Sequence, residues 1–183
     1  MRRTLPSIAL TLVLPAALAA QVADAGGDRA ALIRSALSAG PQSVTAEATV
    51  AALDGTILRE GSNGWVCMPD DPAQQGDSPM CLDAAWREFF DAYMNGREPD
   101  FTGTGFAYML QGDFPVSNVD PFADGPTADN QWIEDSGPHV MMIVSDPAQM
   151  EGIPTDPDNG GPWVMWKGTP YAHVMIPAAP QRR

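Results

Sequence analysis

Two short segments repeat one donor set: His139-Val140-Met141-Met142 and His173-Val174-Met175. In an extended strand residues two apart share a face, so each segment sets an imidazole beside a thioether. Pairing of the two strands would bring His139, Met141, His173 and Met175 to one surface. Thioethers are soft ligands and imidazole also accepts copper, so such a group would suit Cu(I). Packing is the plainer alternative, since methionine fills irregular cores and a histidine on an apolar strand commonly donates to a backbone carbonyl. These are the chain's two histidines, so imidazole catalysis would also fall on them.

A second candidate is acidic. The segment Gly112 to Gly137 carries Asp113, Asn118, Asp120, Asp124 and Asp129 and reads as one long loop. Loops beyond ~12–15 residues are uncommon in compact domains and often bind ligands. Hard oxygens at this density could hold Ca²⁺, which takes 6–8 oxygen ligands. The EF-hand spacing is absent, however, and Asp120-Pro121 and Asp156-Pro157 fit Asx turns equally well. The third candidate is the pair Cys67 and Cys81. An even pair in an exported chain most simply forms a disulfide, and closing this loop stabilises by about 3 kcal/mol in the loop-entropy picture. A redox or zinc role would call for a C-x-x-C spacing or a neighbouring histidine, and neither is present. No G-x-S-x-G elbow, H-E-x-x-H, phosphate loop or dinucleotide fingerprint can be read either. A hydrolase would therefore have to assemble its site from distant residues.

Export is expected from the amino terminus. Arg2 and Arg3 precede an apolar run, Leu5 to Leu18, too short to span a bilayer. Residues 1–25 read as a signal peptide, with cleavage after residue 19 as an alternative, leaving one domain over 26–183 with a short disordered carboxy-terminal tail. The mature protein is expected to be secreted or periplasmic, with no membrane insertion after cleavage. With 23 acidic against 10 basic residues, the net charge of −13 argues against nucleic acid and anionic membrane as partners.

The elements that must position these groups follow from periodicity. Asp28 could cap a short helix to Ser38, ended by Gly40-Pro41. Val44 to Leu53, Asp54-Gly55 and Thr56 to Leu58 read as a hairpin, and Trp65 to Met68 as a third strand. Asp83 caps the clearest helix, where Trp86, Phe89, Phe90, Tyr93 and Met94 form one stripe. Further strands are expected at Gly105 to Gln111 and His139 to Ser145, with a helical turn at Pro147 to Gly152. A hairpin pairs Trp163–Lys167 with Tyr171–Ile176. Strands in hairpin runs, without regular helix alternation, point to an α+β fold. The expected architecture is an antiparallel sheet of six or seven strands against the aromatic helix Ala84 to Met94.

Several blocks also carry a resemblance: Ser62-Asn63-Gly64-Trp65-Val66-Cys67-Met68-Pro69-Asp70-Asp71-Pro72, Ala107-Tyr108-Met109-Leu110-Gln111-Gly112-Asp113, Gly137-Pro138-His139-Val140-Met141, and Gly160 to His173 with its Lys167-Gly168-Thr169-Pro170-Tyr171-Ala172-His173 core. The chain resembles a family of uncharacterised secreted bacterial proteins, over nearly its whole mature length. The resemblance implies one intact exported domain and assigns no activity or cofactor. The leading expectation is a non-catalytic binding or interaction module using the Gly112 to Gly137 loop, with copper binding and hydrolysis as alternatives.

Overall fold

A computed structural model describes residues 16–178, and side chains from residue 28 onward. The charged end and most of the apolar run of the expected signal peptide, like the last five residues, lie outside the described residues. The described residues form a mixed α+β structure of three α-helices, an eight-stranded sheet and a two-stranded ribbon.

Helix α1 spans Ala16–Ser38. Asp28 therefore lies inside a helix and is not its cap, because alanine-rich sequence on both sides of Gly26-Gly27 propagates the helix. A single turn, α2 (Gln42–Thr45), replaces the expected start of a strand at Val44. Pro41 sits extended at its N-cap, and the Pro41 carbonyl accepts from the Val44 and Thr45 N–H groups. Proline initiates the turn here instead of only ending α1.

Strands β1 (Thr49–Ala51) and β2 (Ile57–Arg59) form the expected hairpin. β3 (Val66–Met68) then pairs with β1 in parallel, on the side away from β2. Parallel neighbours need a connection of about a dozen residues or more, and here β2 itself lies within that crossover. Gly61 makes it possible. A Cβ there would lie 2.2 Å from the carbonyl carbon of Ala48 and from the nitrogen of Thr49, so only glycine lets the returning chain pass.

β4 (Met80–Leu82) pairs with β3 and sets Cys67 directly opposite Cys81, which are disulfide-bonded. Helix α3 (Ala84–Met94) follows, with the expected bounds. The remaining strands are β5 (Thr104–Met109), β6 (Val116–Ser117), β7 (Trp132–Ile133), β8 (His139–Val144), β9 (Trp163–Met165) and β10 (His173–Pro177). The main sheet runs β2-β1-β3-β4-β5-β8-β10-β9, antiparallel except at β1–β3, and β6 pairs with β7 separately. Eight strands, not six or seven, make up the sheet.

Alternation divides the core between the two faces. On β4, Cys81 packs with Ala36, Val50 and Cys67 toward α1, whereas Leu82 joins Trp86, Phe89 and Met109 in the larger cluster under α3. On β8, His139, Met141 and Ile143 are buried, and the intervening Val140, Met142 and Val144 are half-buried. Among the described residues no helix is long and apolar enough to cross a membrane.

Candidate functional site

The two His-Val-Met segments are neighbouring strands, and their register decides what they bring together. Met141 lies opposite Met175, while His139 lies opposite Pro177. His173 pairs instead with Met165 on β9, and His139 with Met109 on β5. The two methionines thus form a central rung, with one imidazole two residues beyond it in each direction. Four residues of strand separate the imidazole positions, on the order of 13 Å along the sheet. One surface carries all four side chains, but the histidines do not meet.

Both rings are buried, His139 fully and His173 with 2% exposure. Each is tied to backbone in the same way. His139 Nδ1 lies 2.7 Å from the Gly137 carbonyl and His173 Nδ1 lies 3.0 Å from that of Tyr171. A carbonyl only accepts, so each Nδ1 carries the hydrogen and each Nε2 keeps a lone pair. Burial pushes both rings down to about 4, against the opposing effect of those carbonyls, so both are neutral at physiological pH. His139 Nε2 is buried without a partner. The His173 ring stands edge-on between two indoles, 4.9 Å from Trp166 and 5.5 Å from Trp86.

His173 faces a cavity of about 60 Å³ between α3 and the sheet. Helix α3 supplies Trp86, Phe89, Phe90 and Tyr93, because the 3.6-residue stripe that makes it amphipathic aims these rings at the strands. The sheet supplies Met80, Met109, Met141, Met165 and His173. Asp113 and Phe114, just beyond β5, close one side. Two polar features stand out in this apolar wall. Trp86 is 3% exposed, and its indole N–H has no hydrogen-bond partner. The Asp113 carboxyl is raised to about 7 by desolvation, with a smaller push from Asp135 and against the pull of the Phe114 N–H that it accepts at 2.8 Å.

The other loop residues singled out by sequence lie elsewhere. Asn118 is buried, donating to Gln131 Oε1 and the Thr155 carbonyl and accepting from the Trp163 indole. Its amide is committed to holding the loop against β9. Asp120, Asp124 and Asp129 are exposed, and Asp120 accepts from the Phe122 N–H two residues on, which is an Asx turn. The loop is not structureless, since β6 and β7 pair across it. Among the described residues, no group of three or more His, Cys, Asp or Glu is placed to hold a metal ion.

Met80, Met109, Met165 and Trp86 are the site residues that sequence reasoning missed. One signal was available: the hairpin across Gly168 implies that Met165 faces His173. Met80 and Met109 come from strands whose adjacency periodicity does not reveal. Set against protein-family models, curated proteins and solved structures, the chain matches none of them.

Proposed function

We propose that the protein is a non-catalytic binding module, secreted or periplasmic, that captures a small ligand in the cavity beneath α3. The carrying observation is the Trp86 indole N–H, buried in the wall of an apolar cavity with no acceptor. Leaving such a donor unpaired costs about 1–3 kcal/mol, a cost that a bound acceptor or ligand would relieve. The leader-like amino terminus and the Cys67–Cys81 bond support export. The blocks around Trp65 and Lys167 to His173 support kinship with uncharacterised exported bacterial proteins.

The chemistry of the imidazoles favours binding over hydrolysis. A general base needs a ring within reach of a hydroxyl or carboxylate and open to substrate. Here each ring is buried and its hydrogen-bonded nitrogen is spent on backbone. The test is a ¹H–¹⁵N spectrum recorded with xenon and with short alcohols of up to about four heavy atoms, sizes suited to a cavity smaller than the ~150 Å³ that holds benzene. Saturable shifts of the Trp86 and Trp166 indole resonances are expected. Shifts confined to exposed residues would overturn the reading.

A further inference from the structure

The Trp86 indole and the His173 imidazole meet edge to face in the wall of this cavity, their ring centroids 5.5 Å apart. They offer the two halves of one hydrogen-bonding arrangement. The Trp86 N–H is a donor without an acceptor, in a residue only 3% exposed. His173 gives its Nδ1 hydrogen to the Tyr171 carbonyl, which leaves the Nε2 lone pair for another partner. Phe89 and Trp166, with centroids 6.1 and 4.9 Å from that of the imidazole, hold the ring's direction. Around the pair the wall is aromatic and thioether, and the hairpin register sets Met165 directly opposite His173.

A polar atom entering this end of the cavity must accept from Trp86 and donate to His173. A hydroxyl does both, having one O–H and two lone pairs. At ordinary N–O separations of about 2.9 Å, its oxygen spans nitrogens up to about 6 Å apart. A carbonyl, ether or nitrile only accepts and would leave the imidazole lone pair buried and unfilled. An ammonium would bring a charge without a counter-ion. Asp113 follows four residues after Met109, which lies opposite His139, and His139 is level with Pro177, four residues along β10 from His173. Its carboxyl therefore belongs to the far end of the cavity. Water finds here only two of the 2–4 polar partners it seeks and leaves the apolar remainder empty. Volume limits the alkyl part: benzene, with six heavy atoms, occupies a cavity of ~150 Å³, so about 60 Å³ admits two or three. Resting on the capture reading above, we infer that the cavity binds a short aliphatic alcohol the size of methanol or ethanol, its hydroxyl accepting from Trp86 Nε1 and donating to His173 Nε2, its alkyl end against Phe89 and Met165.

The experiment titrates the ¹⁵N-labelled protein with ethanol, with acetonitrile, which matches ethanol in heavy atoms but only accepts, with ethylammonium and with xenon. Ethanol is expected to saturate at one molecule per chain, with a Kd of about 1 mM or weaker, and to shift the Trp86 indole resonance together with that of His173 Nε2. Acetonitrile should bind about tenfold more weakly or worse, because it leaves a buried polar group unpaired, and ethylammonium should not bind. Trp86→Phe keeps an aromatic ring while removing the N–H. It should weaken ethanol binding about tenfold, whereas xenon should still shift the Trp166 indole resonance. Ethanol that binds no tighter than acetonitrile, or that moves Trp86 and leaves His173 Nε2 unchanged, overturns the assignment. Undiminished ethanol affinity in a folded Trp86→Phe variant does the same. If ethanol fails while xenon still shifts the indole resonances, the hydroxyl assignment falls alone and the capture reading stands. If xenon fails as well, both fall.

Discussion

At His139 and His173 one local device recurs: the ring turns back to the carbonyl two residues earlier, Gly137 or Tyr171. The echo between the segments is legible in sequence because this device needs only a few consecutive residues. Convergence was not legible. Side-chain period gives the face, whereas register gives the position along it, and a shift of two residues preserves the first while changing the second. Gly105 shows the same limit. Nothing in its neighbourhood announces a contact, yet a Cβ there would meet Ala85 Cβ at 2.8 Å and Ile143 Cγ1 at 2.9 Å. The glycine lets α3 sit close on β5 and β8. Gly105→Ala should therefore destabilise by about 1–3 kcal/mol through overpacking, read as a lower urea midpoint. An unchanged midpoint would show that α3 can rise from the sheet without cost.

Among the elements, α3 was the most legible, since five apolar positions at helical spacing behind an Asp leave few alternatives. Its cap does two jobs. One Asp83 oxygen accepts from the Trp86 N–H at 2.9 Å and the other from the Phe106 N–H of β5 at 2.6 Å. Asp83→Ala should cost about 2 kcal/mol, more than a cap alone, because it also unpins the helix start from the sheet. Asp83→Asn has a single acceptor oxygen and should recover about half of that loss in chemical denaturation. The disulfide was equally readable, from a pair of cysteines and a polar loop. Its removal by Cys67→Ser/Cys81→Ser should cost about 3 kcal/mol. Because Cys67 and Cys81 pack toward α1, near-ultraviolet signals from Trp86 and Trp166 should persist below the lowered midpoint. β4, β6 and β7 escaped the sequence reading because two or three residues display no period, and no short hairpin turn of the kind that joins β1 to β2 or β9 to β10 marks them.

For the whole molecule, the acid response sets two kinds of group against each other. The chain carries a net charge of −13, and lowering that charge with acid relieves self-repulsion, which favours the folded state. The buried imidazoles act in the opposite sense. Their folded pKa values, about 4, lie below the ordinary value of 6.5, so between pH 6.5 and 4 the unfolded chain binds more protons and stability falls as pH falls. Asp113 opposes them: raised to about 7, it keeps its proton when folded, and the folded state gains as pH drops from 7 toward 4. From pH 7 to pH 5 each imidazole costs about 2 kcal/mol and Asp113 returns roughly the same, leaving a net loss of about 2 kcal/mol. At 0.15 M salt the repulsion among the exposed carboxylates is screened over about 8 Å, so the histidines win in this window. Urea midpoints at pH 7 and 5 should record that loss, and His173→Gln should remove most of it. Asp113→Asn, lacking the counterweight, should roughly double it. A midpoint that stays level in the wild type would mean that the imidazoles reach water, and with it the case for a dry cavity under α3 would be lost.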